Sequence, residues 1–411
     1  MNILIQQSPK TSAGPIEWNL PGSKSLSHRY LIAQCLYAPQ RELLGLSTCA
    51  DTLSLQNAMA SQDRVYFEDG ATPLRFYLAL AAAMGWKRSV DAGPRLKERP
   101  LQALLQALGL EPTTPFPLAL EKRLLPRDYW NIDTEQSSQF LSALLLVAPY
   151  VHGPGQVCRF HYARQFASKP YADMTLKVLE YVGVQANLHE EELELCWNPQ
   201  PTEHSPIVIE ADWSAFAFAC NACLTVPGQT LVLPGLKDQS IQGDQQTLAI
   251  YQHLGLVFQP GASGTLSLCY PAPVAAAEAE WNLAQMPDAA PAIACAYAFT
   301  GTPVTLTGLS NLRFKESDRI QALIQNLEAL GYSLTILGSG DGIHIPAQKP
   351  DLPSVARIQT YQDHRIAMAL SLFASRTALE YSEWDSVKKS FPDFWEEMQK
   401  LTFERREYGQ K

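Results

Sequence analysis

The amino-acid sequence predicts an α/β protein built from repeated units, and three features of the chain carry this prediction. Helical patterns recur at a regular interval and end in the same way. A polar loop that follows an apolar strand occurs three times with similar letters. Short β-rich pieces separate the helical patterns, so strand and helix alternate along the chain, as they do in α/β folds.

Four helical patterns end in a glycine. They are "ERPLQALLQALG" to Gly109, "PYADMTLKVLEYVG" to Gly183, "GDQQTLAIYQHLG" to Gly255 and "SDRIQALIQNLEALG" to Gly331. Apolar residues recur in each at helical spacing, and a terminal glycine suits a left-handed C-cap. The glycines are 74, 72 and 76 residues apart. An interval that regular predicts a repeated supersecondary unit.

The repeated loop supports the same interpretation. "LLGLSTCADTL", "LPGLKDQSIQGD" and "LTGLSNLRFKESD" each run from an apolar strand through Gly-Leu to an acidic residue near a helix start, where the helix dipole favours negative charge. The predicted strands include "ELELCW", "PIVIEA", "QTLVLPG", "GTLSLCY" and "TPVTLTG". Residues 133–153 predict a longer helix. The sequence contains no sharp linker, and residues 19–22 and 236–243 are the two candidate crossings between domains.

Length, composition and charge restrict the class of protein. The 411 residues suffice for two domains, and 46% hydrophobic with 18% charged residues is typical of a soluble globular protein. The chain has no run of eighteen apolar residues, so no membrane span is predicted. Its first residues show no basic, apolar leader, so no signal peptide is predicted. We therefore expect a cytoplasmic protein. The net charge of −9 argues against nucleic acid or an anionic membrane as a partner.

The cysteines predict no disulfide framework and no metal site. Eight cysteines are scattered along a chain without a secretory signal, so we expect reduced thiols. Cys220 and Cys223 form a CxxC inside the apolar segment "AFAFACNACL", and no second Cys/His pair follows at zinc-ligand spacing. This pair is therefore predicted to belong to the core.

The segment "LPGSKSLSHR", residues 20–29, looks at first like the end of a nucleotide-binding P-loop. The spacing excludes that interpretation, because Ser23 separates Gly22 from Lys24 and no glycine stands five residues before Gly22. A glycine turn that opens a helix still offers free backbone N–H groups to an anion. Lys24, Ser25 and Arg29 add two positive charges and a hydroxyl. The segment alone fits a phosphate site and an ordinary capped helix equally well.

Two further segments combine charge with a helix start. In "NLRFKESDR", residues 311–319, Lys315 and Arg319 share one helical face, although a solvated salt-bridge face would look similar. In "DHRIAMAL", residues 363–370, Asp363 is a natural N-cap, and His364 and Arg365 occupy the first turn of an apolar helix. A basic pair there opposes the helix dipole, and this unfavourable placement indicates a bound anion.

Several shorter loops repeat this arrangement of hydroxyls and cations near helix starts. They carry Thr72 and Arg75; Arg95, Lys97 and Arg99; Ser137, Ser138 and Gln139; Ser168 and Tyr171; Asp288; and Lys388 and Lys389. Taken singly, such loops are more often surface features than sites. Their recurrence in a chain of acidic average composition indicates that local clusters of Lys and Arg hold an anionic ligand.

Ten segments, which follow one another in chain order and extend over nearly the whole length of the chain, resemble the 5-enolpyruvylshikimate-3-phosphate (EPSP) synthase family of enolpyruvyl transferases. They are "LPGSKSLSHR", "DGATPLRF", "GPRLKERP", "SSQF", "SKPY", "SIQGD", "PDAA", "NLRFKESDR", "DHRIAMA" and "KKSFPDF". The resemblance implies transfer of the enolpyruvyl group of phosphoenolpyruvate to the 5-hydroxyl of shikimate 3-phosphate, with release of phosphate, in the shikimate pathway of aromatic amino acid biosynthesis. It implies a monomer that needs neither cofactor nor metal.

The resemblance also implies a fold. The family's fold is similar to a two-lobed inverted α/β barrel, in which each lobe has three repeated βαβαββ units and the active site lies in the cleft between the lobes. By analogy, residues 20–241 form one lobe, and residues 1–19 together with 242–411 form the other.

The resemblance assigns site residues position by position. The residues expected to bind shikimate 3-phosphate are Lys24, Ser25, Arg29, Ser137, Ser138, Ser168, Tyr171, Asp288, Asn311 and Lys315. The residues expected at phosphoenolpyruvate are Lys24, Ala71, Thr72, Arg75, Arg99, Gln139, Arg319, Arg365 and Lys389. Lys24, Asp288, Glu316 and His364 are expected to be catalytic, with Asp288 taking the hydroxyl proton and Glu316 handling the proton on C3.

Three departures from the family pattern are informative. Where the family commonly has Gly-Thr, this chain has Ala71-Thr72, and the added methyl group should crowd ligands longer than phosphoenolpyruvate. We therefore expect weakened inhibition by glyphosate. His28 replaces a common asparagine, and "DWSAFAF" has alanine at a commonly seryl position. Both are expected to lie beside the site rather than in it.

Two alternative functions remain open for the sequence. UDP-N-acetylglucosamine enolpyruvyl transferase shares the fold but carries a reactive cysteine in a mobile glycine-rich loop, which has no equivalent here. A non-catalytic protein that binds phosphorylated metabolites on the same scaffold would not need the carboxylates Asp288 and Glu316 among cations.

Overall fold

The structure is a computed structural model that describes residues 2–7, 14–132, 138–161, 166, 168–199, 205–338 and 340–408. The strands are β1 (Asn2–Gln7), β2 (Ile16–Glu17), β3 (Leu43–Leu44), β4 (Arg64–Phe67), β5 (Arg88–Ala92), β6 (Leu118–Leu120), β7 (Val157–His161), β8 (Val184–His189), β9 (Glu192–Trp197), β10 (Ile207–Val208), β11 (Thr230–Pro234), β12 (Val257–Pro260), β13 (Thr265–Cys269), β14 (Ala279–Asn282), β15 (Val304–Thr307), β16 (Thr335–Leu337), β17 (Gly342–Ile345), β18 (Val355–Ile358), β19 (Ala378–Tyr381) and β20 (Phe403–Tyr408).

The α-helices alternate with these strands. They are α1 (Lys24–Tyr37), α2 (Ala50–Ala60), α3 (Ala71–Met84), α4 (Pro94–Lys97), α5 (Gln102–Ala107), α6 (Ser138–His152), α7 (Lys169–Tyr181), α8 (Trp213–Leu224), α9 (Thr247–His253), α10 (Ala290–Thr300), α11 (Arg319–Ala329), α12 (His364–Leu370) and α13 (Phe394–Lys400). The four glycines predicted to end helices all have positive φ, between 78° and 91°, which confirms the predicted left-handed caps.

The chain divides into two compact units. The first unit contains Met1–Pro21 and Glu210–Lys411, and the second contains Gly22–Ile209. Residues 210–241, which the family resemblance assigns to the other lobe, fall in the first unit. The physical reason is pairing and burial, because β11 pairs with β2 and β13 of that unit and α8 lies in its core.

Three four-stranded sheets form the framework of the first unit. Their strand orders are β12-β13-β11-β2, β14-β15-β17-β16 and β18-β19-β1-β20. Each sheet has one parallel pair, namely β2 with β11, β14 with β15, and β18 with β19. A buried helix, α8, α10 or α12, precedes the second strand of each pair, and a second helix, α9, α11 or α13, follows it. The predicted βαβαββ repeat is confirmed in this unit.

The amino-terminal strand completes the third repeat of the first unit. β1 lies between β19 and β20, antiparallel to both, and Ile3 and Ile5 face Tyr381 and Leu379. Both isoleucines are at most 1% exposed. The chain therefore returns at its carboxyl end to the sheet in which it begins.

The second unit repeats the same plan with shorter sheets. Its strand orders are β10-β3, β4-β5-β6 and β7-β9-β8. β10 with β3 and β4 with β5 are parallel, and Trp130 forms a parallel bridge with Phe160 beside β7. The predicted α/β class is confirmed, and the described strands of both units pair into six separate sheets rather than one closed barrel.

The central helices of the first unit are buried along nearly their whole length. Every residue of α8 and α12 is buried, and only Thr300 of α10 is not. Cys220 and Cys223 lie within α8 at 0% exposure, so their predicted place in the core is confirmed. Among the described helices, none has the length and apolar character needed to span a membrane.

Candidate active site

In the second unit, the predicted anion-binding turn opens helix α1. Ser23 is the N-cap, and its hydroxyl accepts a hydrogen bond from the backbone N–H of Leu26. Gly22 is required just before it, because a Cβ atom there would lie 2.0 Å from the carbonyl oxygen of Gly45. Lys24 follows as the first helical residue, and its Nζ lies 3.2 Å from Oδ2 of Asp51 at the start of α2. Ser25 is half-buried beside it.

Arg29 is buried one turn further along α1 and is bound by protein atoms. Its guanidinium donates to the carbonyl oxygens of Ser25 and Tyr171, both at 2.8 Å, and to the hydroxyls of Thr175 at 2.8 Å and Ser142 at 3.3 Å. Burial lowers its pKa to about 10. These bonds fix the start of α7, which carries Tyr171, against α1. Direct binding of a substrate by Arg29 stays a prediction.

Helices α3 and α6 carry four of the predicted phosphoenolpyruvate ligands. Ala71 is the first residue of α3 and is 4% exposed, and Thr72 follows it. Arg75, one turn later, donates to Oε1 of Gln139 at 2.6 Å and to the carbonyl oxygen of Pro100 at 2.6 Å. The latter contact ties Arg75 to the residue that follows the half-buried Arg99.

The predicted hydroxyl ligands lie at two other helix starts of this unit. Ser138 begins α6 and is buried. Ser168 precedes α7 with a left-handed backbone, φ 62°, and is also buried. Ser137 lies outside the described residues. A serine with positive φ is uncommon and indicates a locally constrained turn.

His28 is a buried neighbour of this cluster. Its Nε2 lies 3.2 Å from the Thr52 hydroxyl, and the ring is 0% exposed. Burial lowers the pKa of His28 to about 3, with Lys24 and Arg29 acting in the same direction against Asp51. The imidazole is therefore neutral at physiological pH and contributes no positive charge to the cluster.

In the first unit, the predicted site residues gather around the guanidinium of Arg319. The side chain is 1% exposed, and it contacts three carboxylates. Its Nη1 lies 3.0 Å from Oδ1 of Asp288, and its Nη2 lies 2.7 Å from Oε2 of Glu316. Its Nε lies 2.8 Å from Oδ2 of Asp363. Burial alone would lower the pKa of Arg319, but the three carboxylates raise it above its ordinary value.

Asp288 contacts three cationic side chains of this cluster. It lies in a single 3-10 turn, Pro287–Ala289, directly before α10. Its oxygens are 3.3 Å from Nζ of Lys315 and 3.1 Å from Nη2 of Arg365. Burial opposes ionisation, yet Arg365, Lys315 and Arg319 lower the pKa of Asp288 well below its usual range. Asp288 is therefore ionised at neutral pH.

Glu316 connects Arg319 with the carboxyl-terminal region of the chain. Its Oε1 lies 3.7 Å from Nζ of Lys389, which ends a 3-10 helix, Trp384–Lys389, before α13. Lys315 and Glu316 follow the 3-10 helix Ser310–Phe314, in which Asn311 is half-buried. The structure thus brings Lys315, Glu316 and Lys389 into one cluster.

His364 and Arg365 occupy the first turn of α12, as the sequence predicts. Nδ1 of His364 is 3.8 Å from Oδ1 of Asp363, and the ring is 1% exposed. Arg365 extends to Asp288, where Nη1 donates to the backbone carbonyl at 2.9 Å. The positive charge of Arg365 at this helix start is thus offset by Asp288 of another element.

Sequence reasoning missed three carboxylates that contact or surround the predicted residues. Asp51 pairs with Lys24, and Asp363 pairs with Arg319 in addition to capping α12. Asp244 is 3% exposed and accepts a hydrogen bond from the Ser214 hydroxyl, and its ionisation responds to Asp288 and Arg365. Each of these aspartates lies near a helix start. A capping role alone accounts for an acidic residue there, so the sequence gives no reason to expect a distant cationic partner.

The two clusters supply cations, hydroxyls and ionised carboxylates, which suit acid–base chemistry on an anionic substrate. Among the described residues, no group of three or more His, Cys, Asp or Glu side chains is placed to hold a metal ion.

Comparison with solved structures identifies the class of fold. An EPSP synthase from Acinetobacter baumannii superposes with a TM-score of 0.76 at 20% identity, covering 99% of this chain and 100% of that chain. An enolpyruvyl transferase from Streptomyces tendae gives 0.67 at 15% identity, covering 98% of both chains. The chain therefore has the fold of the enolpyruvyl transferases.

Sequence comparison narrows this class to one family. The EPSP synthase (3-phosphoshikimate 1-carboxyvinyltransferase) family matches residues 55–398. A 3-phosphoshikimate 1-carboxyvinyltransferase of Serratia proteamaculans is 31% identical over 422 residues, covering 93% of this chain and 95% of the relative. One from Bacteroides fragilis is 29% identical over 403 residues, covering 93% and 94%. The chain belongs to the EPSP synthase family, and the resemblance drawn from its motifs is confirmed.

The buried Asp244 generates a prediction about pH and stability. Burial raises its pKa to about 6, so the folded state loses stability as pH rises from about 4 to 6 and the buried carboxyl ionises. The difference from an ordinary aspartate corresponds to roughly 3 kcal/mol. Asp244→Asn should therefore raise the thermal unfolding midpoint at pH 7.5 by more than at pH 4.5.

The matched control is Asp385→Asn, which changes an exposed aspartate and should leave both midpoints unchanged. Thermal unfolding followed by circular dichroism at the two pH values measures the effect. Equal stabilisation by Asp244→Asn at both pH values would contradict the prediction.

Proposed function

We propose that the chain transfers the enolpyruvyl group of phosphoenolpyruvate to the 5-hydroxyl of shikimate 3-phosphate and releases phosphate. Membership of the EPSP synthase family supports this reaction. The observation that carries the proposal within the structure is the Arg319 cluster, in which Asp288 and Glu316 lie among Lys315, Arg365 and Lys389. An addition–elimination reaction between two anions requires both such cations and such carboxylates.

Charge and hydrogen-bond geometry suggest how the substrates are bound. Planar guanidinium groups suit the carboxylate and phosphate of phosphoenolpyruvate, and lysines supply point charges. We assign phosphoenolpyruvate to Lys24, Ala71, Thr72, Arg75, Arg99, Gln139, Arg319, Arg365 and Lys389. We assign shikimate 3-phosphate to Lys24, Ser25, Arg29, Ser137, Ser138, Ser168, Tyr171, Asp288, Asn311 and Lys315.

The reaction requires two proton transfers in its first half. The 5-oxygen of shikimate 3-phosphate forms a bond to C2 of phosphoenolpyruvate, while its proton passes to Asp288 with assistance from Lys24. Glu316, in its protonated form, adds a proton to C3 at the same stage and becomes a carboxylate. Asp288 is ionised at neutral pH, so its carboxylate is available to accept a proton. The product of this half is a tetrahedral adduct.

The second half reverses the proton transfer at C3. The bond from C2 to the phosphate oxygen breaks, and the phosphate leaves with the proton held by Asp288. Glu316 removes a proton from C3, and the double bond forms again in the enolpyruvyl product. His364 assists as a neighbour of this centre. Each positioned acid or base typically contributes about 10²–10⁴-fold to the rate, and the fixed guanidinium and ammonium groups stabilise the developing charge.

We further propose that the protein works as a monomer in the cytoplasm, without a metal or cofactor. All eight cysteines lie in the described part of the chain and are free thiols, which supports a reducing compartment. Light scattering during gel filtration measures the oligomeric state.

The proposed reaction is tested directly by phosphate release. The purified protein should release phosphate only when both phosphoenolpyruvate and shikimate 3-phosphate are present, and enolpyruvylshikimate 3-phosphate should form in equal amount. UDP-N-acetylglucosamine in place of shikimate 3-phosphate is the control substrate. Phosphate release with that control alone would overturn the proposal.

The proton-transfer roles predict the effect of two neutral replacements. Asp288→Asn and Glu316→Gln keep the shape of each side chain but remove its capacity to take a proton, so kcat should fall at least about 100-fold in each. The exposed Glu328 provides a control, and Glu328→Gln should keep the wild-type kcat within about twofold. Near-wild-type turnover by either active-site variant would show its assigned role to be wrong.

Ala71 predicts weakened inhibition by glyphosate. Its methyl group lies at the first residue of α3 at 4% exposure, so a ligand longer than phosphoenolpyruvate should be crowded there. Ala71→Gly should lower the inhibition constant for glyphosate by about tenfold or more, equivalent to about 1.4 kcal/mol, with a smaller change in the KM for phosphoenolpyruvate. Ala50→Gly, at the exposed start of α2, is the matched control. Equal inhibition constants for the wild type and Ala71→Gly would refute this.

A further inference from the structure

We propose that Asp363 is a positioning residue for the reaction, which holds the guanidinium of Arg319 in the orientation that reaches Asp288 and Glu316. This role rests on the proposed function. It goes beyond the capping role that the sequence assigns to Asp363, and it makes the start of α12 a support for residues of two other elements.

The geometry around Asp363 is more than a helix cap. The side chain is 0% exposed. Oδ1 accepts the backbone N–H of Arg365 at 3.0 Å, which is the cap, and Nη2 of Arg319 at 3.3 Å. Oδ2 accepts Nε of Arg319 at 2.8 Å and the hydroxyl of Ser317 at 3.0 Å. Both oxygens therefore bind the same guanidinium.

A two-point contact fixes the plane of a guanidinium as well as its position. With Nε and Nη2 held by Asp363, the remaining directions of the fork are set. Nη1 then lies 3.0 Å from Asp288, and Nη2 lies 2.7 Å from Glu316. Without Asp363, Arg319 would contact only these two carboxylates and could rotate between them. The two groups assigned to proton transfer would then lose their fixed separation.

A purely electrostatic role for Asp363 leads to a different expectation. Its negative charge lies among cations that are proposed to bind phosphoenolpyruvate, which is itself an anion. If Asp363 only offset positive charge, neutralising it should tighten phosphoenolpyruvate binding. If it positions Arg319, neutralising it should weaken that binding. The direction of the change in KM distinguishes the two roles.

The experiment compares Asp363→Asn with Asp318→Asn. Asparagine is as good an N-cap as aspartate, so both variants should keep their helix starts. Asp318 caps α11 through the N–H of Gln321 at 3.1 Å and is exposed, which makes it a matched control. In Asp363→Asn, the amide NH2 can only donate and therefore faces the donors of Arg319 unfavourably.

We expect Asp363→Asn to lower kcat by roughly 100-fold, the effect of misplacing a catalytic group by about 1 Å. The KM for phosphoenolpyruvate should rise at least fivefold, and the Kd for shikimate 3-phosphate, measured by calorimetry, should stay within about twofold. Asp318→Asn should match the wild type in all three quantities. Ser317→Ala removes one donor to the same carboxylate and should give the same pattern with a smaller change of about threefold.

Three results would overturn the role. They are an unchanged or lower KM for phosphoenolpyruvate in Asp363→Asn, equal losses in both Asp variants, and weakened binding of both substrates together. If Asp363→Asn does not fold, wild-type constants in Ser317→Ala overturn it. If the wild-type protein releases no phosphate, the proposed function is overturned and the role of Asp363 with it. If the wild type is active and the variants are unaffected, only the role of Asp363 is overturned.

Discussion

The buried guanidinium of Arg319 is the constraint on which the first unit's site depends. A charge removed from water is tolerated only when its donors are satisfied by well-placed partners. Three elements supply those partners, namely the turn before α10 with Asp288, the loop before α11 with Glu316, and the cap of α12 with Asp363. Removing one partner from such a network typically costs about 3–5 kcal/mol. The need to satisfy Arg319 therefore holds three helix starts together.

The repeats explain why helix starts are available at this place. In each βαβαββ unit the first helix is the buried one, so its residues are fixed by the core. Backbone N–H groups and the helix dipole make such a start favourable for an anion. α10 and α12 begin beside Asp288 and Arg365 in the first unit, and α1 and α3 begin at Lys24 and Ala71 in the second. One structural unit, repeated, thus offers several helix starts at which an anion would be favoured.

Local patterns predicted the parts of this structure that depend on neighbouring residues. Apolar spacing and a terminal glycine predicted where α5, α7, α9 and α11 end, because a left-handed cap is a local property of the backbone. The pairing of β1 between β19 and β20 was not predictable in this way, since it joins opposite ends of the chain. The boundary near residue 210 depends likewise on the pairing of β11.

The candidate site shows the same difference between features that follow from neighbouring residues and features that depend on residues far apart in the chain. Motifs predicted Lys24, Arg319 and Arg365 as members of a site, but not which carboxylates they contact. Asp51 and Asp363 looked like ordinary acidic residues at helix starts, because a cap explains them without any distant partner. Pairing between Asp363 and Arg319 spans 44 positions of the chain, and no local pattern carries that information. A single sequence therefore identified the cations of the site better than the carboxylates that orient them.

The pairing of cations with carboxylates also bears on how an acidic chain can bind anions. The net charge of −9 disfavours anions at long range, but salt screens that effect beyond about 8–10 Å. Within the cluster, the four cationic side chains of Lys315, Arg319, Arg365 and Lys389 outnumber the three carboxyl groups of Asp288, Glu316 and Asp363. On the proposed assignment, an incoming phosphate or carboxylate meets a local excess of positive charge and shares the cations with Asp288 and Glu316. Because Asp363 is fully buried and Asp288 is 21% exposed, the same assignment has the substrate compete for the exposed side of the network while the buried side keeps Arg319 in place.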